Sequence, residues 1–173
     1  MRFQNLIYIL PVLFVVVSCV KEDYPRVAMY DPYADVDRNY TLEFDHIEVV
    51  NEESTTNVNG LLDVVEVATL RVYIKNNGPD PCVLKEGTFE DIPSINGFYI
   101  KNKNIGTNGG FKIGNSEEIG YVKQYIDPGT ADYIDVDVRT YASLDPNQDI
   151  ACVFMLTDYD GKTHQVDFSV HVE

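Results

Sequence analysis

Glu66-Val67-Ala68-Thr69-Leu70-Arg71-Val72-Tyr73-Ile74-Lys75 (EVATLRVYIK) divides its side chains into two alternating sets, Ala68, Leu70, Val72 and Ile74 in one and Thr69, Arg71, Tyr73 and Lys75 in the other. A period of two belongs to a β-strand, whose successive side chains point to opposite faces, so one set meets a core and the other meets water. Asn76-Asn77-Gly78-Pro79-Asp80-Pro81 follows. These residues accept left-handed backbone or lack an amide donor, and the strand ends there in a turn.

The same pattern recurs along the chain. Asp127-Pro128-Gly129 predicts a turn that feeds residues 133–138, where Ile134, Val136 and Val138 share the inward face and Asp135 and Asp137 the outward one. Residues 150–156 are apolar on both faces, as in a strand covered on both sides. Asp158-Tyr159-Asp160-Gly161-Lys162 reads as a hairpin turn, and its partner strand sets Val166, Phe168, Val170 and Val172 against Asp167, Ser169 and His171. Residues 40–50 form an earlier strand in which Leu42 and Phe44 are out of phase with Ile47 and Val49, which predicts a bulge at Asp45-His46. Weaker strand patterns lie at 97–101 and 119–126, and the long glycine-rich stretch 87–118 has room for an extra hairpin. Short strands separated by turns, with no convincing helical run, predict an all-β protein, an antiparallel β-sandwich of about seven to eight strands.

The segments LRVYIKNNG and DPGTADYIDVDV resemble the immunoglobulin-like domains of bacterial surface proteins, in particular the cell-adhesion-related (CARDB-like) group. The resemblance implies an immunoglobulin-like sandwich. Two departures stand beside it: the chain has no tryptophan for the core, and Ile150, two residues before Cys152, occupies the place of a tyrosine corner.

At the amino terminus, Arg2 precedes an apolar run over residues 6–17 that is too short to span a bilayer and is interrupted by Pro11. Val16-Val17-Ser18-Cys19 resembles the lipobox of bacterial lipoproteins, which implies removal of residues 1–18 and acylation of Cys19. More than one acyl chain gives stable anchoring, so the mature protein is expected to be tethered to a membrane without spanning it. Lys21-Glu22-Asp23 resembles the export signal of surface lipoproteins of the Bacteroidota type, which implies an outer-membrane, cell-surface-facing location. The other reading of Cys19 is an ordinary thiol inside a secretory signal. Residues 19–39 carry the cysteine and a proline- and aspartate-bearing tether without sustained periodicity, and residues 40–173 form the sandwich.

Removing residues 1–18 from 173 leaves 155, enough for one core. Arg2 leaves with them, so 12 basic residues face 28 acidic ones, a balance that excludes nucleic acid as a partner. His46, His164 and His171 have no metal-ligand spacing, there is no paired-cysteine ligand set, and neither a nucleophile elbow nor a phosphate-binding loop is present. Neither a metal nor a cofactor is expected. Asp31, Asp35 and Asp37, and Asp158 and Asp160, form two acidic clusters that fall short of a calcium loop. The glycine run 104–110 reads as a loop or hairpin, since no helix follows to make an anion site.

Cys82 and Cys152 have two readings, a disulfide permitted by an envelope location or two small buried thiols. Tyrosine is abundant, with 12 residues, and Tyr73 and Tyr133 project from the polar faces of their strands as candidate ligand-contacting rings. Together these features describe a non-enzymatic, lipid-anchored cell-envelope protein that acts as an adhesion, interaction or structural module with an envelope protein as partner. The alternative is a surface glycan-binding lipoprotein that assists polysaccharide capture.

Overall fold

A computed structural model of the protein describes residues 38–53, 58–105, 113–114 and 125–173. The described residues contain β1 (Leu42–Glu53), β2 (Val67–Asn76), β3 (Cys82–Asp91), β4 (Phe98–Ile100), β5 (Asn104–Ile105), β6 (Tyr125–Ile126), β7 (Ala131–Thr140), β8 (Gln148–Asp158) and β9 (Thr163–Val172). The alternating stretch quoted above is β2, and Ala68, Leu70, Val72 and Ile74 are buried in one continuous core with Ile134, Val136 and Val138 of β7.

Four strands form one sheet in the order β1-β2-β7-β4, and the other follows β5-β3-β8-β9, with β6 on the start of β3. Every named strand pair is antiparallel. Lettered along the chain, β1, β2, β7 and β4 take the places A, B, E and D, while β3, β8 and β9 take C, F and G. That division is the one found in immunoglobulin-like sandwiches.

In place of a core tryptophan, four phenylalanines bridge the two sheets. Phe44 stacks on Phe168 at 5.3 Å between ring centroids, and Phe89 meets Phe154 edge-on at 4.9 Å. Phe168 closes the group against Phe89 and Phe154. Rings in such offset and edge-on contacts add about 0.5–1.5 kcal/mol per pair beyond the area they bury.

β1 changes register between Phe44 and His46, at the position where the phase of its apolar residues changes. β8 is a central strand, with β3 on one side and β9 on the other, and Val153 on its outer face is also buried. β3 lies where alternation predicts no strand. A register shift between Leu84 and Glu86 moves its inward set from Cys82 and Leu84 to Gly87, Phe89 and Asp91, which hides the period of two. Of the weak pattern at 119–126 only Tyr125–Ile126 lies among the described residues, as β6; β5 pairs with β3 at the start of the glycine run.

Polar residues finish the inward rows. Asn76 follows Ile74 in phase, is fully buried, and donates to the carbonyls of Asp80 (2.8 Å) and Ile126 (3.1 Å). Asp91 ends β3 and accepts the Ile95 amide at 2.7 Å, while Thr140 ends β7 and donates to the Asp63 carbonyl at 2.6 Å. Asp158 ends β8 with 1% of its surface exposed. Each one satisfies loop groups that the ladder leaves without partners.

Glu66 is also buried. Its amide donates to Thr140 Oγ1 at 2.8 Å and its Oε2 accepts the Asp63 amide at 2.8 Å, but Oε1 has no hydrogen-bond partner. Burial therefore raises its pKa, against the lowering effect of the Asp63 amide and with a further rise from the charges of Glu52 and Asp63.

Two glycines set close approaches. A Cβ on Gly78 would lie 2.2 Å from Tyr40 Cα, so only glycine lets residues 39–41 run alongside the β2–β3 turn, where Asn77 N donates to Thr41 O at 2.9 Å. Gly97 has φ +96°, and a Cβ there would lie 2.7 Å from Leu144 N. It seats the turn before β4 against the β7–β8 loop, with Tyr141 N donating to Gly97 O at 2.8 Å. Arg38 and Asn39, read from the sequence as the end of the tether, already pack on the sandwich. Arg38 is buried and Asn39 N donates to Asp80 at 2.8 Å.

Candidate functional site

The antiparallel register of β1, β2 and β7 lines up their outward residues in rows. His46, Tyr73 and Tyr133 form one row, and Glu48, Arg71 and Asp135 the next. Thr69 and Asp137 make a third, in which Thr69 Oγ1 donates to Asp137 at 2.9 Å and Lys101 Nζ reaches Asp137 at 3.8 Å. The bulge in β1 is what brings His46 opposite Tyr73.

Contacts run along the rows and between them. The His46 ring stacks on Tyr73 at 4.0 Å and 12°, and Tyr73 meets Tyr133 at 5.3 Å. The Arg71 guanidinium lies 4.0 Å from the centre of the Tyr133 ring, while its Nε and Nη2 donate to Asp135 Oδ1 and Oδ2 at 3.0 and 3.2 Å. Tyr73 Oη donates to Glu48 at 3.2 Å, and His46 Nδ1 lies 2.7 Å from Asp45. Cross-strand pairs of this kind are the sheet's own stabilising units, and the two parallel hydrogen bonds that Arg71 donates to Asp135 fix its orientation.

The electrostatics follow from these contacts. Desolvation raises the Tyr73 phenol above its usual value, and the adjacent Glu48 raises it further, so the ring stays neutral. The bond to Asp135 raises Arg71, which is a permanent cation. Tyr73 and Tyr133, the two rings that alternation places on outward faces, are thus neighbours, the first stacked by His46 and the second covered by Arg71. The surface carries packed aromatic rings and paired charges.

A second cluster lies at the end of the core where β8 turns into β9. Tyr40 Oη donates to Asp158 Oδ2, and His164 Nε2 lies 2.9 Å from the same hydroxyl and 3.4 Å from the carboxylate. Asp158 Oδ1 accepts the Lys162 amide at 2.8 Å, and Arg38 Nη2 donates to Asp160 Oδ2 at 3.2 Å. Both aspartates of the predicted hairpin turn therefore serve as acceptors for protein donors. This cluster escaped the sequence reading, although the phase Ile150, Cys152, Phe154, Leu156 continues inward to Asp158.

Cys82 and Cys152 are separate, buried, free thiols. Cys152 pairs with Asp91, nine residues along β3 from Cys82, which at about 3.3 Å per residue is roughly 30 Å, far beyond a disulfide's reach. The disulfide reading gives way to two buried thiols. Burial pushes both up to about 12, Cys82 against an opposing pull from Arg38 and Cys152 with a further push from Asp91. His171 is exposed on the outer face of β9 with Nδ1 2.8 Å from Asp149. Cys19, Asp31, Asp35 and Asp37 lie outside the described residues.

The strand order defines the class, an immunoglobulin-like β-sandwich. No protein-family profile matches the chain. No curated protein matches it significantly. Solved structures similar to it include the CARDB domain of a Pyrococcus furiosus protein in complex with di-metal ions, at 12% identity and TM-score 0.33, covering 79% of this chain and 90% of that one. A FixG-related protein from Vibrio parahaemolyticus is 15% identical with TM-score 0.32, covering 80% and 99%. The archaellum periplasmic stator protein FlaG from Sulfolobus acidocaldarius is 14% identical with TM-score 0.33, covering 75% and 98%. At such scores these neighbours carry no functional implication.

Proposed function

We propose that the chain is a non-enzymatic, lipid-anchored module of the bacterial cell envelope that docks a protein partner on the outer face of the β1-β2-β7-β4 sheet. The observation that carries this reading is the row His46, Tyr73, Tyr133 with Arg71 clamped beside it. Tyrosine and arginine are the residues most enriched at binding hot spots, and side chains already fixed by their neighbours lose little freedom on binding. The anchor rests on Cys19 at the end of the apolar run, and the outward orientation on Lys21-Glu22-Asp23.

Affinity capture from detergent-solubilised envelopes tests the docking surface. A specific companion should accompany the wild-type chain and be lost with Arg71→Ala and Tyr133→Ala; absence of any specific companion counts against the proposal. Cys19→Ser should abolish fatty-acid labelling and release the chain from the membrane fraction, and retention of both would remove the anchor.

Capture of surface polysaccharide is a second reading, favoured by one observation. Two well-exposed rings, Tyr99 and Tyr141, line a single cleft.

A further inference from the structure

Between the turn before β4 and the β7–β8 loop lies an open cleft of about 610 Å³, lined by Tyr99 and Tyr141, by Ser94, Asn96 and Ser143, and by the backbone of Gly97 among others. Its volume falls within the roughly 300–1,000 Å³ of small-ligand sites. The two tyrosines are 52% and 45% exposed. Neither is needed to fill the core, which takes Phe98 and Ile100 from β4 instead.

The walls are fixed. Gly97 O accepts the Tyr141 amide at 2.8 Å, Leu144 N donates to Tyr141 O at 2.9 Å, and Ile95 N bonds to buried Asp91 at 2.7 Å. The absent side chain of Gly97 is what allows the two loops to meet, since a Cβ there would also lie 2.8 Å from Ser143 Oγ. Short polar side chains therefore line the same cleft as the two rings, on loops whose backbones are hydrogen-bonded to each other.

We infer that this cleft is a binding subsite for a neutral saccharide, with Tyr99 and Tyr141 stacking on sugar rings and Asn96, Ser94 and Ser143 exchanging hydrogen bonds with hydroxyls. Three observations select this class of ligand. The residues that line the cleft carry no ionised side chain. The amide of Asn96 has donors and an acceptor on one rigid plane and the serine hydroxyls are both, which matches adjacent sugar hydroxyls that also donate and accept. The chain's net charge of −15 repels anionic polymers and is indifferent to neutral ones. Arg139, whose guanidinium lies 5.9 Å from the centre of Tyr141 and which pairs with Tyr99 across β4 and β7, stands at the rim beside both rings.

The inference rests on the glycan reading and gives it a place distinct from the Tyr73 and Tyr133 row. The test is to present the full chain, purified in detergent, to an array of neutral α-glucans, β-glucans, mannans and xylans with polygalacturonate as the acidic comparison. At least one neutral polymer should be retained, and Tyr99→Ala and Tyr141→Ala should each weaken retention about ten-fold. Asn96→Ala should weaken it without touching either ring. Tyr159→Ala, at an equally exposed ring beyond the other end of β8, should leave it unchanged. Retention that survives both tyrosine substitutions would overturn the cleft while leaving the glycan reading intact. Silence of the wild-type chain across the array would overturn both. Preference for polygalacturonate, or a protein companion lost with the same two substitutions in the absence of sugar binding, would also overturn the assignment.

Discussion

The hydroxyl of Tyr40 donates its proton to the buried carboxylate of Asp158, 118 residues further along the chain. His164 Nε2 lies 2.9 Å from the same phenol oxygen. The start of the sandwich is thereby tied to its last hairpin. Tyr40→Phe keeps the ring and removes the bond, and should destabilise the fold by about 1–3 kcal/mol because Asp158 keeps its desolvation cost without this donor. Urea unfolding of the variant measures it; an unchanged midpoint would deny the bond any part in stability.

Gly78→Ala should be severe, at about 1–3 kcal/mol or more, because the new methyl group would meet backbone at 2.2 Å and that backbone cannot rotate away as a side chain can. Gly97→Ala should cost a similar amount from a left-handed backbone and a close contact together. Gly129→Ala also sits at positive φ, +72°, but meets nothing within 4 Å, and should cost only about 1–2 kcal/mol. Thermal melts rank the three, and a milder effect at Gly78 than at Gly129 would contradict the close approach.

Glu66 gives the fold a pH dependence whose sign can be stated. Burial raises its folded pKa, so the folded state holds the proton more tightly than the unfolded chain, whose value is about 4.3. The stability it contributes is present below the unfolded value and is lost as pH rises through the folded one. Glu66→Gln keeps an acceptor for the Asp63 amide and removes the ionisation. Its stability relative to wild type should therefore improve from pH 4 to pH 7, and a relative decline over that range would refute the assignment.

The thiols of Cys82 and Cys152, both pushed up to about 12, should resist alkylation in the native protein at pH 8 and react in denaturant. Peptide mass mapping should find each unpaired, with no change on reduction. A Cys82–Cys152 cross-link would require a different strand arrangement.

Arg71→Ala should change stability by about 1 kcal/mol or less, since its pair with Asp135 is partly exposed and screened by solvent. Partner capture lost with this variant can then be read as loss of recognition. A large drop in melting temperature would instead make Arg71 a structural residue.

Much of the fold was legible because the apolar residues of β2, β7 and β9 recur at every second position on one buried face. The β1 bulge was legible too, as a phase error between Phe44 and Ile47. β3 was not, since its own register shift erases the alternation and its length is set by pairing with β8, a contact between distant parts of the chain. The aromatic row was half visible: alternation puts Tyr73 and Tyr133 on outer faces, but only register makes them neighbours. Tyr99 falls within the weak strand pattern at 97–101, but its cleft with Tyr141 is invisible in the sequence, because Gly97 and Tyr141 lie on loops that tertiary contact brings together.

Asn76, Asp91, Thr140 and Asp158, each at the end of an apolar row, also police misalignment. Slipping a strand by one residue would turn its greasy side to water, and slipping by two would drag an amide, a hydroxyl or a carboxylate one layer deeper into hydrocarbon, where nothing answers it. Slips of the second kind are thus penalised by chemistry already written at the strand's last position, and the sandwich has a built-in proofreader for its own assembly.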